Sequence, residues 1–193
     1  EQESSEIRIQ GFSGWKAGMT HIMMRDNNPN STSAGQEIRK AVTVVEAPPM
    51  KVLAVRGYTN TPYGMQTAGE VWADLSESSL DGLMPRLAND TKAKNGEDEG
   101  IKPEKRGGRI PIRKKENIEE SFEALKSYNL CEVRLIVATQ PKLVRSIPTK
   151  IPEIMEVGLV GGDEESRLEW AKNRLGDFIS IDDVFKVGQE IDV

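Results

Sequence analysis

The sequence is poor in cysteine and histidine, two residue types that often build catalytic and metal sites. Its 193 residues include one cysteine, Cys131, and one histidine, His21. A single cysteine excludes an intrachain disulfide and any metal site built from several cysteines. Because Cys131 opens an apolar strand, we expect it to be a small buried hydrophobe. His21 has no second histidine to act with, and its apolar surroundings predict a packed or hydrogen-bonded residue rather than a catalytic base.

Long apolar stretches are missing as well. No run approaches the roughly 18 apolar residues that a membrane-spanning helix needs. The first ten residues, EQESSEIRIQ, are acidic and lack the apolar core of a signal peptide. With 37% hydrophobic and 30% charged residues, the composition is that of a water-soluble chain of one or two domains. The sparse cysteine usage fits a reducing, intracellular setting.

Acidic residues outnumber basic ones, 31 to 26, and one segment holds a marked excess of positive charge. The net charge of −5 by itself argues against a nucleic-acid-binding protein. Residues 101–116, IKPEKRGGRIPIRKKE, hold seven Lys or Arg and two Glu, a charge of +5 that leaves −10 for the rest. A segregated basic segment is either a solvated loop or an arm that follows a phosphate backbone. Its glycines and prolines favour an extended arm.

The first 75 residues have the pattern of an all-β unit. Apolar, β-branched runs at 17–25, 41–46, 50–55 and 70–75 predict short strands, and TPYG at 61–64 predicts a turn between the last two. Closely spaced short strands of this kind indicate a barrel or a sandwich.

The later part of the chain has a different pattern. Residues 76–116 show no sustained period and predict a long connection. A helix face follows, formed by apolar residues at i, i+4 and i+7: Ile118, Phe122 and Leu125. Two strands and a second helix, stopped by Gly176, come next, at 131–141, 151–162 and 163–176. Residues 117–176 therefore predict a small α/β unit.

Two glycine-containing stretches suggest nucleotide binding, and their spacing argues against it. In GFSGWKAGMTHIMMRD, residues 11–26, Lys16 is followed by alanine and a strand, whereas a Walker loop needs Ser or Thr and a helix. In VGLVGGDEESRLEW, residues 157–170, the glycines miss the G-x-G-x-x-G spacing and three carboxylates would face a pyrophosphate. A nucleotide-binding α/β enzyme using the Gly158–Asp163 turn and an acidic protein-interaction module stay open as alternatives.

Several segments, taken together, resemble one protein family. They are GFSGWKAGMTHIMMRD, AVTVVEAPPMKVLAVRGY, TPYG, EVWAD, IPEIMEVGLVGG and DVFKVGQEIDV. Their order and spacing from about Gly11 to Val193 look like the archaeal and eukaryotic form of large-subunit ribosomal protein L-three (L3). KAGMTH followed by VVEAPPM is the most specific part, and a histidine after GMT is typical of that branch.

The resemblance implies a structural, non-enzymatic protein of the large ribosomal subunit in the cytoplasm. Such a protein binds large-subunit, 23S-type rRNA and neighbouring large-subunit ribosomal proteins, and supports assembly near the peptidyl-transferase region. It needs no cofactor, no metal, no membrane and no small-molecule substrate. The implied fold is a translation-factor-type, Greek-key β-barrel with an inserted two-layer α/β domain. Residues 1–75 would begin the barrel, 76–180 would form the insertion with its basic loop at 101–116, and 181–193 would return to the barrel.

The chain also departs from the family. Its basic N-terminal extension and basic C-terminal part have no counterpart here, and the last residues, GQEIDV, read as a strand that stops midway. A truncated sequence explains both, and a barrel without its last strands predicts poor stability or association of residues 1–193 alone. The expected rRNA contacts are basic side chains and two glycine amides that approach phosphate: Gly14, Lys16, Gly18, Arg25, Arg56, Arg106, Arg109, Arg113, Lys114, Lys115 and Lys150.

Overall fold

The computed structural model describes residues 6–73 and 117–193, which form two sheets and two helices. The larger sheet contains β1 (Arg8–Ile9), β4 (Met50–Thr61), β5 (Gly64–Trp72), β6 (Glu132–Ala138), β7 (Ile154–Val160) and β8 (Phe178–Ile179). The second sheet is a hairpin of β2 (Trp15–Arg25) and β3 (Glu37–Glu46). The helices are α1 (Ile118–Lys126) and α2 (Glu164–Arg174), with 3-10 turns at Pro141–Leu143 and Ile181–Asp183. Both predicted helices and the TPYG turn are therefore confirmed.

The larger sheet is antiparallel, with the strand order β1-β7-β6-β4-β5 and β8 beside the start of β4. Val55 in the central strand β4 lies opposite Val71 of β5 and Leu135 of β6, and Leu135 lies opposite Val157 of β7. Residues that face one another across a ladder share a face of the sheet. The four side chains therefore form one continuous apolar row, and all of them are buried.

Both helices cover this apolar face. Phe122 and Leu125 of α1 and Leu168 and Ala171 of α2 are buried in the same cluster as the strand residues. Burying one large apolar side chain stabilises a fold by about 1.5–3 kcal/mol. These contacts make the sheet and the two helices one packed unit, and they confirm the helix face predicted from Ile118, Phe122 and Leu125.

The β2–β3 hairpin, in contrast, is open to solvent on both faces. Its ten paired positions include a β-bulge between Lys16 and Gly18. One side, called the apolar side below, carries five apolar residues that are exposed or half-buried: Ile22, Met24, Ile38, Val42 and Val44. A two-stranded hairpin is marginally stable by itself, so this side is suited to being covered by further protein.

The β-rich architecture with two helices is confirmed, and the described residues form no closed barrel. Strands from both sides of residue 75 share the larger sheet, and the domain boundaries stay a prediction. Residues 190–193, expected to form a strand, lie outside any strand.

Candidate nucleic-acid interface

Lys16 and the two predicted glycines lie at the start of the β2–β3 hairpin. Lys16 is exposed, and its ammonium has no hydrogen-bond or ion-pair partner within residues 6–73 and 117–193. A Cβ on Gly14 would lie 2.6 Å from Cγ1 of Val45, so close packing against β3 accounts for glycine there. A Cβ on Gly18 would meet nothing within 4 Å. Lys16 therefore keeps the free charge that a phosphate contact requires, and Gly18 leaves an open approach beside it.

Arg25 lies at the other end of β2. Its Nε donates a hydrogen bond to the carbonyl oxygen of Gly35 at 3.2 Å, and the side chain is exposed. The neighbouring Asp26 carboxylate accepts a hydrogen bond from the Ser33 hydroxyl at 2.7 Å. That bond, together with one from Ser31, holds the pKa of Asp26 below its usual value. The positive charge of Lys40 lowers the pKa of Asp26 as well.

Arg56 is engaged by two carboxylates on the face of the sheet that the helices leave open. Its Nε donates to Oε1 of Glu70 at 2.8 Å, its Nη2 reaches the same oxygen, and its Nη1 pairs with Glu156. The Trp72 indole N–H donates to the other Glu70 oxygen at 2.9 Å. The Arg56 side chain is 24% exposed. A phosphate contact by Arg56 stays a prediction, and a phosphate would compete with both carboxylates for this guanidinium.

A second arginine completes the charge cluster. Arg134 donates from Nε and Nη2 to the two oxygens of Glu132, at 2.8 and 3.0 Å, and its Nη1 lies 3.6 Å from Glu156. The hydrogen bond to Glu132 raises the pKa of Arg134 above its usual value. Three carboxylates thus surround two guanidinium groups, so this cluster of five side chains has no surplus positive charge to offer a polyanion.

Lys150 lies in the connection between β6 and β7. Its Nζ donates a hydrogen bond to the carbonyl oxygen of Val144, which is buried. The same connection carries Arg145, which is exposed and has no charged partner in the described part of the chain. Arg145 was not among the predicted contacts, and the absence of acidic residues between Gln140 and Pro152 is the signal that would have found it.

The remaining predictions have mixed outcomes. Arg106, Arg109, Arg113, Lys114 and Lys115, with the whole 101–116 segment, lie outside the described residues. His21 is exposed, and its Nδ1 lies 3.0 Å from Nη2 of Arg39, which donates to it; the predicted hydrogen bond is present and packing is not. The prediction of a buried Cys131 is wrong: it is exposed just before β6 begins, with its Sγ 3.3 Å from the Tyr58 carbonyl oxygen.

Comparison with known proteins decides the family. The model of the family described as Ribosomal protein L3 matches residues 1–193. The chain belongs to the ribosomal protein L3 family. It is 40% identical over 191 residues to "Large ribosomal subunit protein uL3" of Archaeoglobus fulgidus, covering 99% of this chain and 50% of the relative. The protein of the same name from Sulfurisphaera tokodaii is 39% identical over 193 residues, covering 99% of this chain and 51% of the relative. The chain thus spans about half the length of the curated relatives it matches.

Members of the L3 family are structural ribosomal proteins and not enzymes. The Gly158–Asp163 turn has a structural explanation that agrees with this. Gly161 and Gly162 have φ values of 91° and 57°, a backbone region that favours glycine. Arg167 donates hydrogen bonds to both of their carbonyl oxygens, at 2.8 and 3.0 Å. The turn is therefore closed by the chain's own arginine as α2 begins.

An exposed tyrosine of this L3 family member was not among the predicted contacts. Tyr63, within TPYG, is 94% exposed at the tip of the β4–β5 hairpin. The sequence signal that could have indicated Tyr63 is the stretch around it: residues 57–69 are the 13 residues of the longest uncharged stretch of the chain. Separately, no helix in the described ranges is long and apolar enough to cross a membrane.

Proposed function

We propose that this chain is part of a structural constituent of the large ribosomal subunit, where it binds large-subunit rRNA. The observation that carries the proposal is the match of the whole chain to the L3 family, with archaeal relatives that bear the name of a large-subunit protein. Its partners are 23S-type rRNA and neighbouring large-subunit proteins in the cytoplasm, and its role is to support assembly near the peptidyl-transferase region.

The exposed cations are the proposed phosphate contacts. Lys16 supports this best, because its charge is uncompensated among the described residues and Gly18 opens the backbone beside it. Arg25 and Lys150 each use one donor on a backbone carbonyl and keep others for a phosphate. The basic segment 101–116 adds five further candidates, Arg106, Arg109, Arg113, Lys114 and Lys115. Together they would act by neutralising phosphate charge, with no covalent chemistry.

The barrel belongs to this proposal as well. The β2–β3 hairpin would supply two strands of the barrel, because the exposed apolar side of the hairpin can pack against further strands. Since the chain spans about half the length of the curated relatives, the covering strands would come from the other half. The translation-factor-type barrel with an α/β insertion is therefore expected in the intact protein.

Co-sedimentation tests the function. The intact protein should sediment with large subunits, and the association should be lost on RNA digestion and weakened by salt. Lys16→Ala and Arg25→Ala should each reduce the slope of log K against log salt by about one. Lys126→Ala, an exposed lysine in α1, serves as the matched control and should leave the slope unchanged. Association that survives nuclease treatment would overturn the proposal in favour of a protein-interaction module.

A further inference from the structure

Residues 57–69 form a hairpin arm that projects from the larger sheet. It consists of the end of β4, the beginning of β5 and the turn between them. Strand β6 pairs with β4 only as far as Tyr58, so the arm continues past the edge of its neighbour. We call residues 57–69 the uncharged arm, because GYTNTPYGMQTAG contains no acidic or basic residue in a chain that is 30% charged.

The root of the uncharged arm is fixed against α1. Gly57 and Gly69 lie opposite each other in the ladder, and neither has a side chain. A Cβ on Gly57 would lie 2.8 Å from Cδ2 of Leu130, and a Cβ on Gly69 would lie 3.1 Å from Cδ2 of Leu125. The glycine pair thus lets two leucines rest directly on the backbone of the arm. Close packing of this kind resists displacement of the root.

The first residues beyond the root are held on both faces of the hairpin. On one face, the Tyr58 hydroxyl donates to Oε2 of Glu156 at 2.7 Å, and its ring lies 4.7 Å from the Arg134 guanidinium. On the other face, the Thr59 hydroxyl donates to the carbonyl oxygen of Asn129 at 2.9 Å. These contacts join the arm to β6, β7 and the residues after α1, so its direction is set by the packed unit.

The tip presents one aromatic ring to solvent. Pro62 and Tyr63 form the turn, and the Thr61 hydroxyl donates to the carbonyl oxygen of Gly64 at 2.7 Å. Gly64 has φ of 108°, a conformation that L side chains rarely adopt, so glycine there permits the tight reversal. Tyr63 is 94% exposed and makes no hydrogen bond or ring contact with residues 6–73 or 117–193.

These features fit a nucleobase better than a phosphate or a protein. Neutralising the charge of a phosphate takes a cation, and the uncharged arm has none. An aromatic anchor at a protein interface sits within a buried apolar patch, whereas the tip offers only Tyr63 and Met65 as large apolar side chains. An exposed ring, with threonine, asparagine and glutamine nearby, suits stacking on an unpaired base and hydrogen bonds to its edge.

We propose that Tyr63 stacks on an unpaired nucleobase of large-subunit rRNA, with the uncharged arm as its rigid support. This inference rests on the proposed function and names a base-reading contact that the charged residues do not supply. Arg56 and Glu70 are paired and hydrogen-bonded across the ladder directly below the arm.

Photo-crosslinking in large subunits that carry the intact protein tests the contact. Tyr63→p-benzoylphenylalanine, after irradiation, should stop reverse transcription at one cluster of unpaired rRNA nucleotides. The same replacement at Tyr128, which is 53% exposed beyond the end of α1, is the matched control and should not stop at those nucleotides. Cross-links to protein alone, or none, would overturn the proposal.

Chemical probing provides a second measurement. Tyr63→Ala should raise the dimethyl sulfate reactivity of the contacted base by at least about fivefold, the lower end of the stacking effects seen on alanine substitution. Tyr63→Phe should keep the base protected, because it retains the ring. Unchanged reactivity in Tyr63→Ala subunits would refute stacking while leaving the proposed function intact. Failure of the unsubstituted protein to sediment with large subunits would instead refute the proposed function.

Discussion

Replacing Arg56 by lysine distinguishes a guanidinium that holds the fold together from one that contacts phosphate. Arg56 reaches Glu70 on β5 through two donors and Glu156 on β7 through a third. The planar fork of arginine can serve both carboxylates, whereas a lysine ammonium is a single point charge on a shorter reach. Lysine would keep the positive charge that a phosphate needs and would lose one of the two carboxylates.

The expected size of the effect follows from the exposure of the three side chains. A hydrogen bond to a charged group contributes about 1.5–3 kcal/mol when sheltered, and a solvent-exposed ion pair only about 0.2–1 kcal/mol. Arg56, Glu70 and Glu156 are 24%, 15% and 27% exposed, which lies between these limits. We expect Arg56→Lys to lower the free energy of unfolding by about 1–2 kcal/mol and Arg56→Ala by about 2–3 kcal/mol.

Urea unfolding of the intact protein, followed by circular dichroism, measures this loss. With a urea dependence of about 2 kcal/mol per molar, Arg56→Lys should lower the midpoint by about 0.5–1 M. The exposed Arg145→Lys is the control, and its unfolding free energy should stay within about 0.5 kcal/mol of the parent. An unchanged midpoint for Arg56→Lys, with a smaller salt slope of rRNA binding for Arg56→Ala, would refute the structural role.

Three further predictions concern the β2–β3 hairpin, the packing of α1 on the larger sheet, and the loop of residues 26–36 between β2 and β3. Residues 1–193 alone should associate through the apolar side of the hairpin, and Ile22→Ser should reduce that association in sedimentation velocity; a sharp, reversible thermal transition from a clean monomer would contradict this. Phe122→Ala should lower the free energy of unfolding by about 3–5 kcal/mol, against about 0.5 kcal/mol or less for the exposed control Lys126→Ala, and equal losses would rule out a buried ring. The Ser33 hydroxyl is the main cause of the lowered pKa of Asp26, so its contribution to loop stability is present above the ordinary pKa of 3.8 and disappears as pH falls through the lower folded value. Asp26→Asn should abolish this acid transition in the amide NMR shifts of the loop, and a transition that persists would assign it to another group.

The elements that sequence reasoning predicted well are those whose signals lie within the element itself. The spacing of Phe122 and Leu125 defines a helix face without reference to any other segment, and both residues are buried as expected. The turn at TPYG follows from proline and glycine alone, and the chain reverses there between β4 and β5. Local patterns of this kind depend on backbone geometry, which a short stretch of sequence specifies.

The surroundings of two other positions depend on contacts with distant parts of the chain. The charge of Arg56 predicts a phosphate contact, and its ion pairs with Glu70 and Glu156 depend on the pairing of four strands, β5, β4, β6 and β7. Cys131 has the same alternation as the buried Val133, yet it stands before the strand begins and is exposed. Neither outcome is encoded by the residues next to these positions in the chain, because burial and ion pairing are set when the strands assemble.

The glycine pair lies at one end of the uncharged arm and Tyr63 at the other, so a small rotation at the pair becomes a larger displacement at the tip. Pro62 is five residues from Gly57, about 17 Å at the usual rise of a strand. A rotation of about 6° at the root would therefore shift the tip by about 1.8 Å, a little over a third of the separation of about 4.8 Å between neighbouring strands. Because Leu125 and Leu130 pack on this glycine pair, we expect a change in their packing to shift Tyr63 at the other end of the arm. A methyl group gained or lost between α1 and the glycine pair would therefore displace the tip of the arm by more than it displaces the root.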